Sequence, residues 1–307
     1  MRSGSYLLRR LGNTLVVILG VATATFFLAR ITGDPVDQLL PLEATQEARE
    51  ALRRQLGLDA PLPVQYGRFL ADVVQGEFGN SIRYSEPALG MYLSRLPATV
   101  ELVVAAVVVT VVVGVGLGML AALNHGRVWD AVVSWIALLG QAVPGFYLGL
   151  MLILVVSLQW GLLPTGGRGT WQQLIMPTIV LSSYYVALMA RMTRAAVLET
   201  LRLDFVRTAR AKGLSDRAVN LKHVLRAALI PIVTLIGLQI GGLFSGAVVA
   251  ETVFTWPGIG RLAVDAIFAR DFPVVQTVVI MSATIFVLVN LAVDLLYAVI
   301  DPRISYG

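Results

Sequence analysis

The sequence predicts an all-α membrane protein of six transmembrane helices. Three observations predict it. Of the 307 residues, 57% are hydrophobic and only 14% are charged, against roughly 25% charged in a soluble domain. Six stretches hold the roughly 20 mainly apolar residues that a spanning helix needs. Nine of the 24 basic residues, both lysines among them, crowd between Arg191 and Arg226. Only Glu199, Asp204 and Asp216 oppose them there, so the stretch carries more positive charge than the chain's net +5. A basic loop between two spanning segments stays on the cytoplasmic side.

Taken in order, the first element is Leu11–Ile31, preceded by Arg2, Arg9 and Arg10. That basic start suits a secretory signal. The apolar run is too long for one, however, and no small-residue cleavage pattern follows, so it reads as a retained helix. Residues 32–97 then form a long loop with nine acids and six arginines, assigned to the outside as an extracytoplasmic cap. Within it, Glu43–Leu56 has helical spacing and Gly57 suits a C-cap. Leu62–Val74 resembles a second short amphipathic helix. A surface cap and a contact face for an external partner are both open readings of this loop.

The remaining spans are Ala98–Leu123, Val132–Leu158, Ile175–Leu198, Leu229–Val253 and Val274–Val299. The turn with His125 and Arg127, the Arg191–Arg226 loop and the tail with Arg303 fall inside by charge. The segments around Gly161–Trp171 and Trp256–Pro273 fall outside. Both termini are therefore expected in the cytoplasm. Arg191 and Arg194, near the end of the fourth span, are expected to snorkel to the interface. The resulting organisation is 1–31 as tail and first span, 32–97 as the outer cap, 98–300 as the transmembrane core with a cytoplasmic loop at 199–228, and 301–307 as a cytoplasmic tail.

Several chemistries are excluded. Cysteine is absent and only His125 and His223 exist, so disulfides, thiolate nucleophiles and a histidine metal site have no ligands to use. No soluble basic surface is left for nucleic acid. No Gly-x-x-x-x-Gly-Lys-Ser/Thr loop occurs, so the chain does not itself hydrolyse ATP. Gly242-Leu243-Phe244-Ser245-Gly246 is one residue too long for a serine-hydrolase elbow; small residues in a span more often serve close packing. No catalytic residue is assigned. Intramembrane acids are few. Glu101 and Glu251 sit near outer helix ends, where interfacial water is expected to solvate them. Asp294 and Asn290 share one face of the last span, as a buried polar pair or an ion relay. The relay is the basis of a rival reading, an ion-coupled secondary carrier.

Inside the basic loop, Asp204–Lys212 reads as a short helix stopped by Gly213, which takes a positive φ without a Cβ clash. Ser215 then caps a second helix from Asp216 to about Leu229, and Pro231 marks its entry into the membrane. The first helix pairs apolar Phe205, Val206 and Ala209 with Arg207, Arg210 and Lys212. That composition suits a knob seated in a groove on another protein.

The stretch Asp204–Gly213, followed by His223-Val224-Leu225-Arg226-Ala227-Ala228-Leu229-Ile230-Pro231, resembles the cytoplasmic "EAA" loop of bacterial ABC-importer permeases. More narrowly, the chain is similar to the dipeptide/oligopeptide/nickel permease family with a long first outer loop. Gly33-Asp34-Pro35, Leu56-Gly57-Leu58-Asp59 with Pro61-Leu62-Pro63, and Gly76-Glu77-Phe78-Gly79-Asn80-Ser81 fit in order. So do Arg95-Leu96-Pro97-Ala98-Thr99-Val100-Glu101-Leu102, Glu251-Thr252-Val253-Phe254-Thr255-Trp256-Pro257-Gly258-Ile259-Gly260-Arg261, and Asp301-Pro302-Arg303.

The resemblance implies a type I importer permease in the bacterial cytoplasmic membrane. Such a permease forms half of a translocation pathway with a second, homologous permease. Two cytoplasmic ATPases bind ATP and Mg, so no cofactor is expected in this chain. An extracytoplasmic binding protein delivers cargo. Asp204–Lys212 would be the coupling helix, with Phe205, Val206 and Ala209 as the buried contact. Arg207, Arg210 and Lys212 would steer, and Gly213 would set the angle. Gln141 with Pro144, and Gln239 with Gly241, Gly242 and Ser245, are candidates for the pathway or for ordinary helix packing. Di- or oligopeptide cargo is expected; nickel, glutathione or another small solute remain alternatives.

Overall fold

The computed structural model describes residues 2–31, 36, 40, 44–55 and 57–300, with side chains placed except at 2–11, 29, 31, 230 and 294–300. Gly33-Asp34-Pro35, Leu56, the Asp294 side chain and Asp301-Pro302-Arg303 lie outside the described residues. Among those described there is no strand, only an isolated antiparallel bridge between Asn80 and Pro87. The helices are α1 (Arg2–Ile31), α2 (Gln46–Gln55), α3 (Leu62–Gln75), α4 (Ala88–Leu123), α5 (Val128–Ala142), α6 (Gly145–Leu152), α7 (Trp171–Thr200), α8 (Asp204–Ala211), α9 (Leu225–Val253), α10 (Ile259–Phe268) and α11 (Phe272–Ile300).

α4, α7, α9 from Pro231, and α11 as far as Val293 are each long and apolar enough to cross a bilayer. The third expected span, a single helix over Val132–Leu158, is broken instead. α5 stops at Ala142, and α6 leaves at 103° to it, running on through a π-helical stretch, Ile153–Gln159. The cause is local. Pro144 has no amide hydrogen and forces the preceding residue out of the helical region; Val143 takes φ −80°, ψ 120°. Taken together, α5 and α6 are long and apolar enough for a fifth crossing or a re-entrant loop. In α1 the apolar part is shorter, Gly12–Leu28.

Each expected span starts within a helix that begins before its apolar run does. Pro97, Pro177 and Pro231 lie inside α4, α7 and α9. A proline suits a first turn, which draws a sequence-based start towards it. Within a bundle, neighbouring groups can satisfy the carbonyl that proline frees. The helix expected from Asp216 to about Leu229 is a short helical turn at Asp216–Ala218 and a π-helical stretch at Val219–Val224 that lead straight into α9.

The described residues fall into two compact units, one mainly from the chain up to Leu96 with Leu262–Leu291, the other mainly from Pro97–Arg261. In the first, α3 lies on α1. Phe26 is 1% exposed, with the rings of Tyr66 and Phe69 at 5.2 and 5.3 Å. Thr23 bonds the Tyr66 hydroxyl at 2.7 Å, and Arg30 donates to Gln65 at 2.7 Å. Asp271, ahead of α11, accepts from Ser81 Oγ and from the Ile82 and Arg83 amides. These contacts tie the motif-rich loop to distant parts of the same unit.

In the second unit, α4 and α7 touch backbone to backbone. Gly114 and Gly118 form a small-x-x-x-small step on one face of α4. A Cβ at Gly118 would sit 2.5 Å from Thr193 Cβ and 2.6 Å from the Ala190 carbonyl oxygen. In a bilayer, with no hydrophobic drive between helices, such close approach is the main source of association. Gly118→Leu is expected to cost about 3 kcal/mol by overpacking, read as a lower unfolding midpoint of the detergent-purified protein.

Candidate functional site: the coupling segment and the broken helix

α8 is amphipathic, and its apolar side faces inward. Val206 is fully buried and Ala209 is 7% exposed, three residues apart and so on one face. They pack with Met119 and Ala122 of α4, Val197 of α7, Val219 and Val224 of the π-helical stretch, and Ile232 of α9. The expectation that Val206 and Ala209 meet a partner is therefore corrected: both are spent on the chain's own core. Phe205 faces the other way and is 42% exposed. Arg207, Arg210 and Lys212 are exposed beside it, as are Leu203 and Leu214 at either end of α8. Arg207 lies 3.8 Å from Asp204 and Arg210 3.3 Å from Asp216. Open pairs like these add little stability.

The end of α8 is a Schellman turn. Gly213 N–H donates to the Arg210 carbonyl at 2.9 Å and Leu214 N–H to that of Ala209 at 3.4 Å. Gly213 has φ +79°, which a side chain would resist. Ser215 Oγ accepts from Ala218 N–H at 3.4 Å, the cap the sequence implies.

The break at Pro144 opens a cavity of about 350 Å3, lined among others by Gln141, Pro144, Tyr184, Tyr185 and Gly246. Gln141 Oε1 accepts from Arg191 at 3.2 Å, and its amide nitrogen has no protein partner. Gln239, Gly241, Gly242 and Ser245 are not among the lining residues. Gly242 faces Tyr185: a Cβ there would meet its hydroxyl at 2.5 Å. Gln239 is 5% exposed, and neither amide atom is partnered. Ser245 Oγ bonds back to the Gly241 carbonyl at 3.4 Å, an ordinary helical arrangement. Asn290 is partly exposed, not buried.

Two polar clusters escape a sequence reading. Arg194, expected to snorkel, instead grips Asp130 of α5 through both carboxylate oxygens, at 2.6 and 2.8 Å. Glu251, expected to be water-solvated, is fully buried. It accepts from Thr99 Oγ1 at 2.5 Å and from Arg261 N–H at 3.0 Å. Thr99 Oγ1 accepts in turn from Ile259 N–H at 2.9 Å, and Trp256 Nε1 donates to the Ala98 carbonyl at 2.8 Å. The Glu251–Arg261 motif is thus folded onto the first turns after Pro97. Gly258 and Gly260 are needed there, since a Cβ on Gly258 would strike the Glu251 carboxylate and one on Gly260 would meet Val248 Cα at 2.6 Å. Glu101 is ion-paired with Arg168 at 2.6 Å.

The described residues thus form a helical bundle with one interrupted apolar helix pair and a short amphipathic helix packed on its core. The described region resembles an inward-facing structure of the MetNI methionine ABC transporter, with TM-score 0.60 at 19% identity over 71% of this chain and 99% of that one. An amino acid ABC transporter solved with histidines gives TM-score 0.53 at 17% identity, over 70% of this chain and 94% of that one. These likenesses give the type I ABC-importer permease fold. Residues 114–306 match the family "Binding-protein-dependent transport system inner membrane component", and residues 4–114 match its N-terminal companion; the chain belongs to this family of multi-pass inner-membrane permeases. The glutathione transport system permease protein GsiC of Escherichia coli K12 is 41% identical over 98% of this chain and 99% of its own length. The protein of that name in Salmonella paratyphi A aligns equally.

Proposed function

We propose that this chain forms half of the translocation pathway of an ATP-driven importer for small peptides, glutathione among them. A second permease, two cytoplasmic ATPases that bind ATP and Mg, and an extracytoplasmic binding protein complete the system. α8 docks on one ATPase, which puts Asp204–Gly213 and both termini in the cytoplasm and gives six spans with α1 counted. The division of α8 into two faces carries this reading. Val206 and Ala209 lock the helix to the bundle, while Phe205, Arg207, Arg210 and Lys212 remain for a partner. A helix held rigidly on one side and exposed on the other can pass a displacement inward.

The 41% relatives named for glutathione support the peptide cargo. So does the cavity beside Pro144, lined by amide, hydroxyl and apolar groups, which suit a bulky zwitterion. Gln141, Pro144, Tyr184 and Tyr185 would contact cargo; Gln239, Gly241, Gly242 and Ser245 lie along α9 just before Gly246, which lines the cavity.

Reconstitution of the full assembly in proteoliposomes tests the proposal. ATP-dependent uptake of labelled glutathione or a dipeptide is expected, with none from this chain alone. Solute movement by the isolated chain under an ion gradient would support a secondary carrier, and uptake of nickel without peptide would overturn the cargo.

A further inference from the structure

Asp130 stands in the first turn of α5 and is 6% exposed. Arg194 holds it through two nitrogens, and the Gly126 amide donates to it at 3.0 Å. His125 Nδ1 closes the cluster, 3.0 Å from Asp130 and 3.1 Å from Arg194. A bidentate carboxylate–guanidinium pair is directional, and pulling this one apart would strand the buried Asp130 carboxylate, although Arg194 is 30% exposed.

The placement of this pair gives it a mechanical consequence. Arg194 lies two turns before the end of α7. From there only Leu201–Leu203 intervene before α8, and backbone bonds at 2.9 to 3.1 Å stiffen all three. Asp130 lies at one end of α5, and the Pro144 break lies at the other. Between them α5 fits closely against α7: a Cβ on Gly140 would meet the Ser183 carbonyl oxygen at 3.1 Å. Arg191, one turn before Arg194, reaches Gln141 beside the cavity.

We propose that Asp130 and Arg194 are positioning residues that make α5 follow α7. A displacement of α8 then reaches the Pro144 break, and with it the cavity. The inference rests on α8 being the ATPase-docking helix. The clamp passes the ATPase stroke to the broken span, and α5 is its lever. Neither residue touches cargo or nucleotide.

The test uses the assembled transporter. Asp130→Asn keeps size and one hydrogen-bonding oxygen but removes the charge. It is expected to leave ATPase co-purification and basal hydrolysis intact while lowering solute imported per ATP by roughly tenfold. Arg194→Lys should fall between this variant and the parent. Spin labels at Val128→Cys and Leu203→Cys, both exposed positions in a chain without cysteine, report the distance between α5 and the α7–α8 junction. In the parent that distance should be the same in nucleotide-free and ATP-bound states; in Asp130→Asn it should differ between them. The clamp is overturned if the parent distance changes with nucleotide, which is readable even if Asp130→Asn does not accumulate. It is also overturned if import per ATP in Asp130→Asn stays within about twofold of the parent. Failure of the parent chain to retain the ATPase would instead overturn the docking of α8, a result the labels distinguish.

Discussion

Glu251→Ala is expected to leave the protein barely able to fold. The substitution strands the Thr99 hydroxyl and the Arg261 amide in a fully buried site and opens a cavity beside Trp256. Each buried donor without a partner costs about 1–3 kcal/mol, and the cavity adds to that, for a total of about 3–5 kcal/mol. A protein stable by about 5–15 kcal/mol would lose a large share of its margin. The measurement is the thermal midpoint and membrane yield of the variant. Thr99→Val probes the same knot from the other side: it keeps the shape, removes the donor to Glu251 and leaves Ile259 N–H unsatisfied. A Glu251→Ala protein as stable as its parent would mean that the cluster is satisfied by water rather than by these contacts.

The second large effect separates the two faces of α8. Phe205→Asp puts a charge on an aromatic that is 42% exposed and lies outside the buried cluster that holds Val206 and Ala209. It should insert and unfold normally. Aromatic anchors at interface centres contribute about 2 kcal/mol or more, roughly thirtyfold in affinity. Co-purified ATPase and ATP-driven uptake should therefore both collapse. Val206→Ala, one residue on, should do the reverse. It removes buried methyl groups among Val197, Val219 and Val224, at about 1–3 kcal/mol of stability, yet leaves the docking face intact. If Phe205→Asp kept its ATPase while Val206→Ala lost it, the two faces would be assigned the wrong way round.

Much of the architecture was legible because it follows local rules. Apolar run length located the spans, Gly213 and Ser215 marked the turn after α8, and Leu62–Val74 formed the helix its spacing implies. Several of the misread boundaries involve proline. Pro97, Pro177 and Pro231 look like helix starts but are carried inside long helices, while Pro144 does break its span. Of these four prolines only Pro144 is followed by glycine, Gly145, a turn-favouring pair; the other three are absorbed where the packed surfaces allow it. The site was legible to a similar depth. The segment Asp204–Lys212 could be recognised, but its inward face could not, because Val206 is buried by residues up to 87 positions away on α4. Asp130 with Arg194, and Glu251 with Thr99, are pairs 64 and 152 residues apart. No local periodicity connects them.

That last separation bears on how the polypeptide is made. Thr99 and Ala98 leave the ribosome long before Glu251 and Trp256, so the partners they need arrive only when most of the chain has been synthesised. A loop this long closes slowly. Until it closes, the Thr99 hydroxyl of α4 lacks both its Glu251 and its Ile259 partners. Truncated or stalled chains that end before the Glu251–Arg261 motif would carry that hydroxyl unpaired. They offer a membrane quality-control protease a physical mark by which to tell unfinished permease from finished.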